Sequence, residues 1–166
     1  MNKALEMLAA AGIAARTVEH RAVFTVAESE GVRDELPGLH CKNLFLKPQK
    51  EAGPFCLATL KEDRRVSVNQ LARMAGWPRV AMASADELRA ALGVEPGSVT
   101  PLGLVNAPPG SVRFVLDAAI AYGEDPLWCH PLRNTASTAI LPAELRRFLE
   151  GLGHQVLVLE LPEGEP

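Results

Sequence analysis

A chain of 166 residues with a net charge of -3 and three cysteines is sized for one domain with its own core, and cysteines so few and so widely spaced suggest neither a disulfide framework nor a zinc knuckle. Hydrophobic residues at 48% and charged residues at 22% exclude a disordered chain, and no apolar run approaches the roughly 20 residues that span a bilayer. The first twelve residues lack the charged start, long apolar stretch and cleavage site of a signal peptide, so a cytoplasmic protein with reduced thiols and no membrane partner is expected.

In chain order, Asn2 to Ala11 reads as a helix with Leu5, Leu8 and Ala9 on one side and Gly12 as its stop. Thr17 to His20 is extended. Thr25-Val26-Ala27-Glu28 is a capping box that predicts a helix from Val26 to about Leu36, ended by Pro37-Gly38. His40-Cys41-Lys42-Asn43-Leu44-Phe45-Leu46-Lys47 predicts a strand with Leu44 and Leu46 on one face and Asn43 and Phe45 on the other, closed by Pro48. Phe55 to Leu60 follows the turn Gly53-Pro54 and should form a hairpin with Asn43 to Lys47. Ser67-Val68-Asn69-Gln70 and Ser84-Ala85-Asp86-Glu87 are two further capping boxes, opening helices that close at Gly76 and Gly93.

Arg79 to Met82 is a short strand between those helices, and Gly97-Ser98-Val99-Thr100-Pro101-Leu102-Gly103 is a loop. Val112 to Leu116 and Ala118 to Ala121 are apolar runs, the second broken by Gly123. Ser137 to Leu141 predicts a strand, Pro142 opens a helix through Gly151, and Gln155 to Leu161 is a final strand before a frayed tail from Pro162. Helices and strands are interspersed and several links suit hairpins. The fold class is therefore α/β: a single domain over residues 1–166 with a mixed, partly antiparallel sheet, curled or barrel-like, surrounded by helices.

Charge is unevenly placed. Between Lys42 and Arg79 there are eight Lys or Arg against three acids, giving 8 - 3 = +5, so the remainder sums to -8. A positive region on an acidic body suits a protein that meets a polyanion in one orientation, although a merely solvated face has the same count.

Four segments concentrate chemistry: His20 to Thr25, His40 to Lys47, Gly97 to Gly103, and Cys129 to Thr135. Lys42 is either an edge lysine that discourages strand pairing or a cation at a strand entrance that binds an anionic group. The glycine loop has no lysine after it and so is no ATPase-type phosphate cradle; it is a plain connection or a set of amide donors for a carbonyl oxygen. His130, fixed by Pro131, is a core residue, a pocket wall or an acid-base group, and no second ligand lies at zinc-like spacing.

Taken together, His20, Phe24 and Thr25, the Lys42-Asn43-Leu44-Phe45 strand, the Gly97 to Gly103 loop and His130-Pro131-Leu132-Arg133-Asn134-Thr135 resemble the YbaK/prolyl-tRNA-synthetase insertion-domain family of aminoacyl-tRNA editing proteins. The likeness covers nearly the whole chain. Within the family it is similar to the free-standing alanyl-tRNA(Pro) deacylases of the ProX type. The resemblance implies a metal-free, cofactor-free hydrolase that removes alanine from mischarged proline tRNA. Lys42 corresponds to the family's essential lysine, and Asn43 stands where the Cys-tRNA(Pro) branch and the insertion domains have threonine, a departure that favours the alanine-specific branch but leaves the amino-acid preference open.

The likeness matches the Gly97 to Gly103 loop to the family's glycine-proline loop and His130 to a pocket residue; on this reading Lys42, Asn43, Gly97, Ser98, Thr100 and Gly103 are the catalytic set, and Phe24, Thr25, Phe45, His130 and Asn134 line the amino-acid pocket. Lys47, Lys50, Lys61, Arg64 and Arg65 form the basic face for aminoacylated tRNA(Pro), with prolyl-tRNA synthetase as a further partner and a monomer as the expected state. No serine, cysteine or carboxylate within these motifs has an evident activating base, so attack is expected from a water positioned by the substrate's own ribose hydroxyl. Two alternatives stay open: a deacylase for Cys-tRNA(Pro) or another small aminoacyl-tRNA, and a non-catalytic module that binds aminoacyl-tRNA or a synthetase.

Overall fold

A computed structural model describes residues 2–22, 36–50 and 52–162. Helix α1 (Lys3–Ala10) begins where the Asn2 side chain accepts the Leu5 amide at 3.1 Å, and it buries Ala4 and Leu8. Strand β1 (Arg16–Glu19) follows. The helix predicted from the Thr25 capping box lies outside the described residues, apart from Leu36 at its end.

Strand β2 (Leu39–Pro48) is the organising element, because it has partners on both sides along its length. On one side it forms the expected antiparallel hairpin with β3 (Phe55–Lys61), in a register that sets Asn43 opposite Thr59 and Phe45 opposite Leu57. On the other, its start runs parallel to β6 (Leu127–Cys129) and its end antiparallel to β4 (Val80–Met82). With β5 (Val112–Asp117), β7 (Ala136–Ile140) and β8 (Val156–Leu159), the order is β1-β7-β6-β2-β3-β5-β8, with β4 off that path on β2. The sheet is mixed: β2–β6, β3–β5 and β5–β8 are parallel, the rest antiparallel.

Period-2 alternation sends β2 into two cores. Phe45 and Cys41 pack with Leu57, Phe114, Leu116 and Cys129 in the larger core, beneath α1, whereas Leu44 and Leu46 pack with Cys56, Ala58 and Leu60 in the smaller one. The smaller core is covered by α2 (Val68–Ala75). The larger takes Leu88 and Leu92 from α3 (Ala85–Leu92) and Leu145, Phe148 and Leu149 from α5 (Pro142–Gly151). Ser67 caps α2 and the Ser84–Glu87 box caps α3; Gly76 and Gly93 end them in the left-handed conformation.

Three elements depart from the sequence expectation. Leu127–Cys129 is a strand too short to show a period. Pro101–Asn106 is a 3-10 turn rather than loop, opened by Thr100, whose Oγ1 accepts the Leu102 amide at 3.2 Å. The Pro162 carbonyl is held by an Arg64 guanidinium N–H at 3.1 Å, so the tail is tied at its first residue. Among the described residues no helix is long and apolar enough to cross a membrane.

Candidate active site

Lys42 and Asn43 are consecutive and therefore project from opposite faces of β2. The half-buried Lys42 ammonium donates to the main-chain carbonyl of Arg64, just past β3. Arg64 is itself fixed from behind, with Nε and Nη2 at 3.0 and 3.2 Å from the two carboxylate oxygens of fully buried Asp117. Asp117 also accepts the amides of Lys61 and Ala119, each at 3.0 Å, and so caps the short helix α4 (Ala118–Ala121). A buried carboxylate with four donors holds one rigid arginine, and its carbonyl aims the lysine.

On the other face, the Thr59 hydroxyl donates to Asn43 Oδ1 at 2.6 Å, and Asn43 Nδ2 lies 3.7 Å from Cys41 Sγ. Thr59 is fully buried, so this amide is oriented from within the sheet. Phe45 is also interior, stacked on Phe55 with ring centroids 5.0 Å apart.

His130 follows β6 directly. Its Nδ1 lies 3.1 Å from the Ala136 carbonyl, which can only accept, so Nδ1 carries the proton. Burial pushes the imidazole pKa below its ordinary value; the Ala136 bond opposes this and the charge of His20 adds to it. His20 Nδ1 lies 2.7 Å from the Arg21 carbonyl and Nε2 lies 2.8 Å from Ser137 Oγ. In the neutral ring Nε2 therefore accepts from the serine. This serine–histidine pair spans 117 residues of chain, and the motifs gave no sign of it.

The segment after His130 is pinned at several points. Arg133 makes two bonds to the Glu19 carboxylate, at 2.6 and 2.7 Å, and one to Thr135 Oγ1 at 2.8 Å. Asn2 Nδ2 donates to the Pro131 carbonyl. Leu132 adopts a left-handed φ of 67°, uncommon for a branched residue. Gly97 meets this segment: its φ of 92° favours glycine, and a Cβ there would sit 3.7 Å from the Asn134 amide nitrogen. The fold thus brings the glycine loop to Asn134.

Within that loop the amides of Ser98, Leu102 and Gly103 already donate, to the Glu95 carbonyl, Thr100 Oγ1 and the Thr100 carbonyl. Gly103 is packed against α3, where a Cβ would lie 3.0 Å from Leu92 Cβ. Ser98 and Thr100 are buried.

The basic residues divide. Lys47 pairs with Glu87 at 3.0 Å, Lys61 with Asp63 at 3.7 Å, and Arg64 with Asp117, while Lys50 and Arg65 are exposed. Arg73 and Arg79, from the same positive stretch, edge a cavity of about 340 Å³ with Asn69, Ala72 and Trp77 beside α2. Phe24 and Thr25 lie outside the described residues. Among the described residues no group of three or more His, Cys, Asp or Glu is placed to hold a metal ion.

A profile described as an aminoacyl-tRNA editing domain matches residues 20–148, which span every motif above. The chain belongs to this family. Prolyl-tRNA synthetase associated domain-containing protein 1 of Bos taurus is 37% identical over 163 residues, 96% of this chain and 94% of its own. The prolyl-tRNA editing protein ProX of Acetoanaerobium sticklandii is 27% identical over 87% of each chain. A crystal structure of a protein put forward as a trans-editing enzyme for prolyl tRNA synthetase shares the fold, with a TM-score of 0.69 and 22% identity over 98% of this chain and 99% of that one. The editing family expected from the motifs is thus the family of this chain, and its α/β mixed-sheet fold is that of its structural neighbour.

Proposed function

We propose that this editing domain is a trans-acting deacylase that hydrolyses the ester of alanine mischarged onto proline tRNA. The observation that carries the reading is family membership across residues 20–148, supported by a relative named as a prolyl-tRNA editing protein and by a lysine held at the start of β2. Lys42 binds the phosphate or ribose of the acceptor end, its remaining N–H groups directed to the substrate. Because Ser98, Leu102 and Gly103 have committed their amides, the oxyanion falls to those of Gly97, Val99 or Thr100.

His130, with its pKa lowered by burial, is a neutral wall at neutral pH and excludes proline by shape. Shape is needed because attraction of one extra methylene discriminates by only about 1 to 3 kcal/mol. Water positioned by the free ribose hydroxyl attacks the ester. Prolyl-tRNA synthetase is the partner beside which the enzyme works, in keeping with the synthetase-associated name of the Bos taurus relative.

One observation favours a second route. Ser137 Oγ is 2.8 Å from His20 Nε2, the geometry of an activated nucleophile, which would form an acyl-serine before hydrolysis. Single-turnover release of labelled alanine from Ala-tRNA(Pro), with Cys-tRNA(Pro) and Pro-tRNA(Pro) alongside, tests the function; release of none would contradict it. Ser137→Ala separates the routes: the water route keeps the rate within a few-fold, and the acyl-serine route loses it.

A further inference from the structure

Cys41 and Cys129 are 88 positions apart in the sequence, yet they occupy the next rung of one parallel ladder. Leu39 faces Leu127 and His40 faces Trp128 across β2 and β6, so Cys41 comes beside Cys129. Neighbouring strands lie about 4.8 Å apart, within the roughly 4.4 to 6.8 Å between Cα atoms that a disulfide bridges. Both side chains enter the larger core, and Cys41 Sγ reaches the Trp128 carbonyl at 3.6 Å. A hydrogen bond between the two thiols that holds the proton on Cys129, then burial, raise the Cys129 thiol well above its usual pKa. Cys56 is turned into the other core and is excluded from the pair.

We propose that Cys41 and Cys129 are an oxidative modification site that a peroxide converts into an intramolecular disulfide. Cys41 is partly exposed and Cys129 buried, so the peroxide meets Cys41 first. Its sulfur takes one oxygen from hydrogen peroxide, giving a sulfenic acid and one water. The Cys129 sulfur then attacks the Cys41 sulfur; the S–S bond forms, the S–O bond breaks, and the hydroxyl leaves with the Cys129 proton as a second water. Two electrons and two protons pass from the thiols to the peroxide.

Each cysteine directly precedes a candidate site residue, Lys42 or His130. The bond therefore ties together the backbones from which both side chains are aimed, and hydrolysis slows. The effect on hydrolysis rests on the function proposed above, whereas the crosslink does not.

The test is to treat the reduced full chain with hydrogen peroxide, alkylate remaining thiols, and map the peptides by mass spectrometry. The expected result is a Cys41–Cys129 linked peptide with Cys56 alkylated, reversed by dithiothreitol and absent from Cys41→Ser and Cys129→Ala. Alkylation of all three thiols, or over-oxidation of Cys41 without a bridge, would overturn the proposal. Alanine release is followed in the same samples. A several-fold fall that dithiothreitol restores, absent from both variants, supports coupling to the site; a bridged protein that hydrolyses at the reduced rate overturns it. A reduced protein that releases nothing counts against the proposed function instead, and the peptide map still decides the bridge.

Discussion

The ammonium of Lys42 is held by the backbone carbonyl of Arg64, and the Arg64 guanidinium is held by Asp117. The lysine is therefore aimed by a chain of contacts that ends on a fully buried carboxylate. Removing one member of a buried ion pair leaves the other uncompensated and costs about 3 to 5 kcal/mol. Asp117→Ala should destabilise the protein by about that much, read by thermal and urea unfolding. Asp117→Asn, which can still accept hydrogen bonds, should lose less stability yet release alanine more slowly as the lysine loses its register. Full activity in Asp117→Asn would argue that Lys42 needs no such support.

The Thr59 hydroxyl, fully buried and 2.6 Å from Asn43 Oδ1, gives a second test. Thr59→Val keeps the volume but leaves that amide oxygen without its donor, at an expected loss of about 1 to 3 kcal/mol. Unfolding midpoints of Thr59→Val and Asn43→Ala should fall by similar amounts, and the double variant should lose less than their sum. Full additivity would show that the two side chains do not act together.

His130 makes stability depend on pH in a stated direction. Its folded pKa lies below the ordinary histidine value of 6.5 because burial disfavours the charged ring. The unfolded chain therefore binds a proton that the folded protein refuses. The contribution is fully present above the unfolded value and is lost as pH falls below about 6.5 toward the folded pKa. Unfolding at stepped pH should show that loss, and His130→Gln should flatten it; an unchanged profile in the variant would assign the dependence to another group.

Arg73 and Arg79 border the cavity that contains Trp77. If they meet phosphates of the bound tRNA, Arg73→Glu and Arg79→Glu should each weaken binding and lower the slope of log affinity against log salt by about 1. Fluorescence anisotropy with labelled tRNA(Pro) at several salt concentrations reads both quantities. An unchanged slope would place the nucleic acid elsewhere.

Local structure was legible where side chains act within a few residues. The capping serines Ser67 and Ser84, the stops at Gly76 and Gly93, and the two faces of β2 follow from hydrogen-bonding valence and period. What stayed hidden was long-range. Nothing near Arg64 in the chain shows that Asp117 will pair with its guanidinium, and a reading by charge count placed it with Lys50 on the tRNA face. The three-residue β6 carries no periodic signal and takes its strand form from β2 and β7. The pairs His20–Ser137 and Cys41–Cys129 arise from strand register alone, which a single sequence does not display.

The most direct measurement is single-turnover hydrolysis of Ala-tRNA(Pro) by the wild-type protein and by Lys42→Ala, with Pro-tRNA(Pro) as the control. The account predicts release of alanine and not proline, and a loss of about 100-fold or more in the variant, the size of effect that misplacing a substrate produces, with the unfolding midpoint nearly unchanged. A folded Lys42→Ala protein that releases alanine at the wild-type rate would contradict the role given to this lysine and the site built around it.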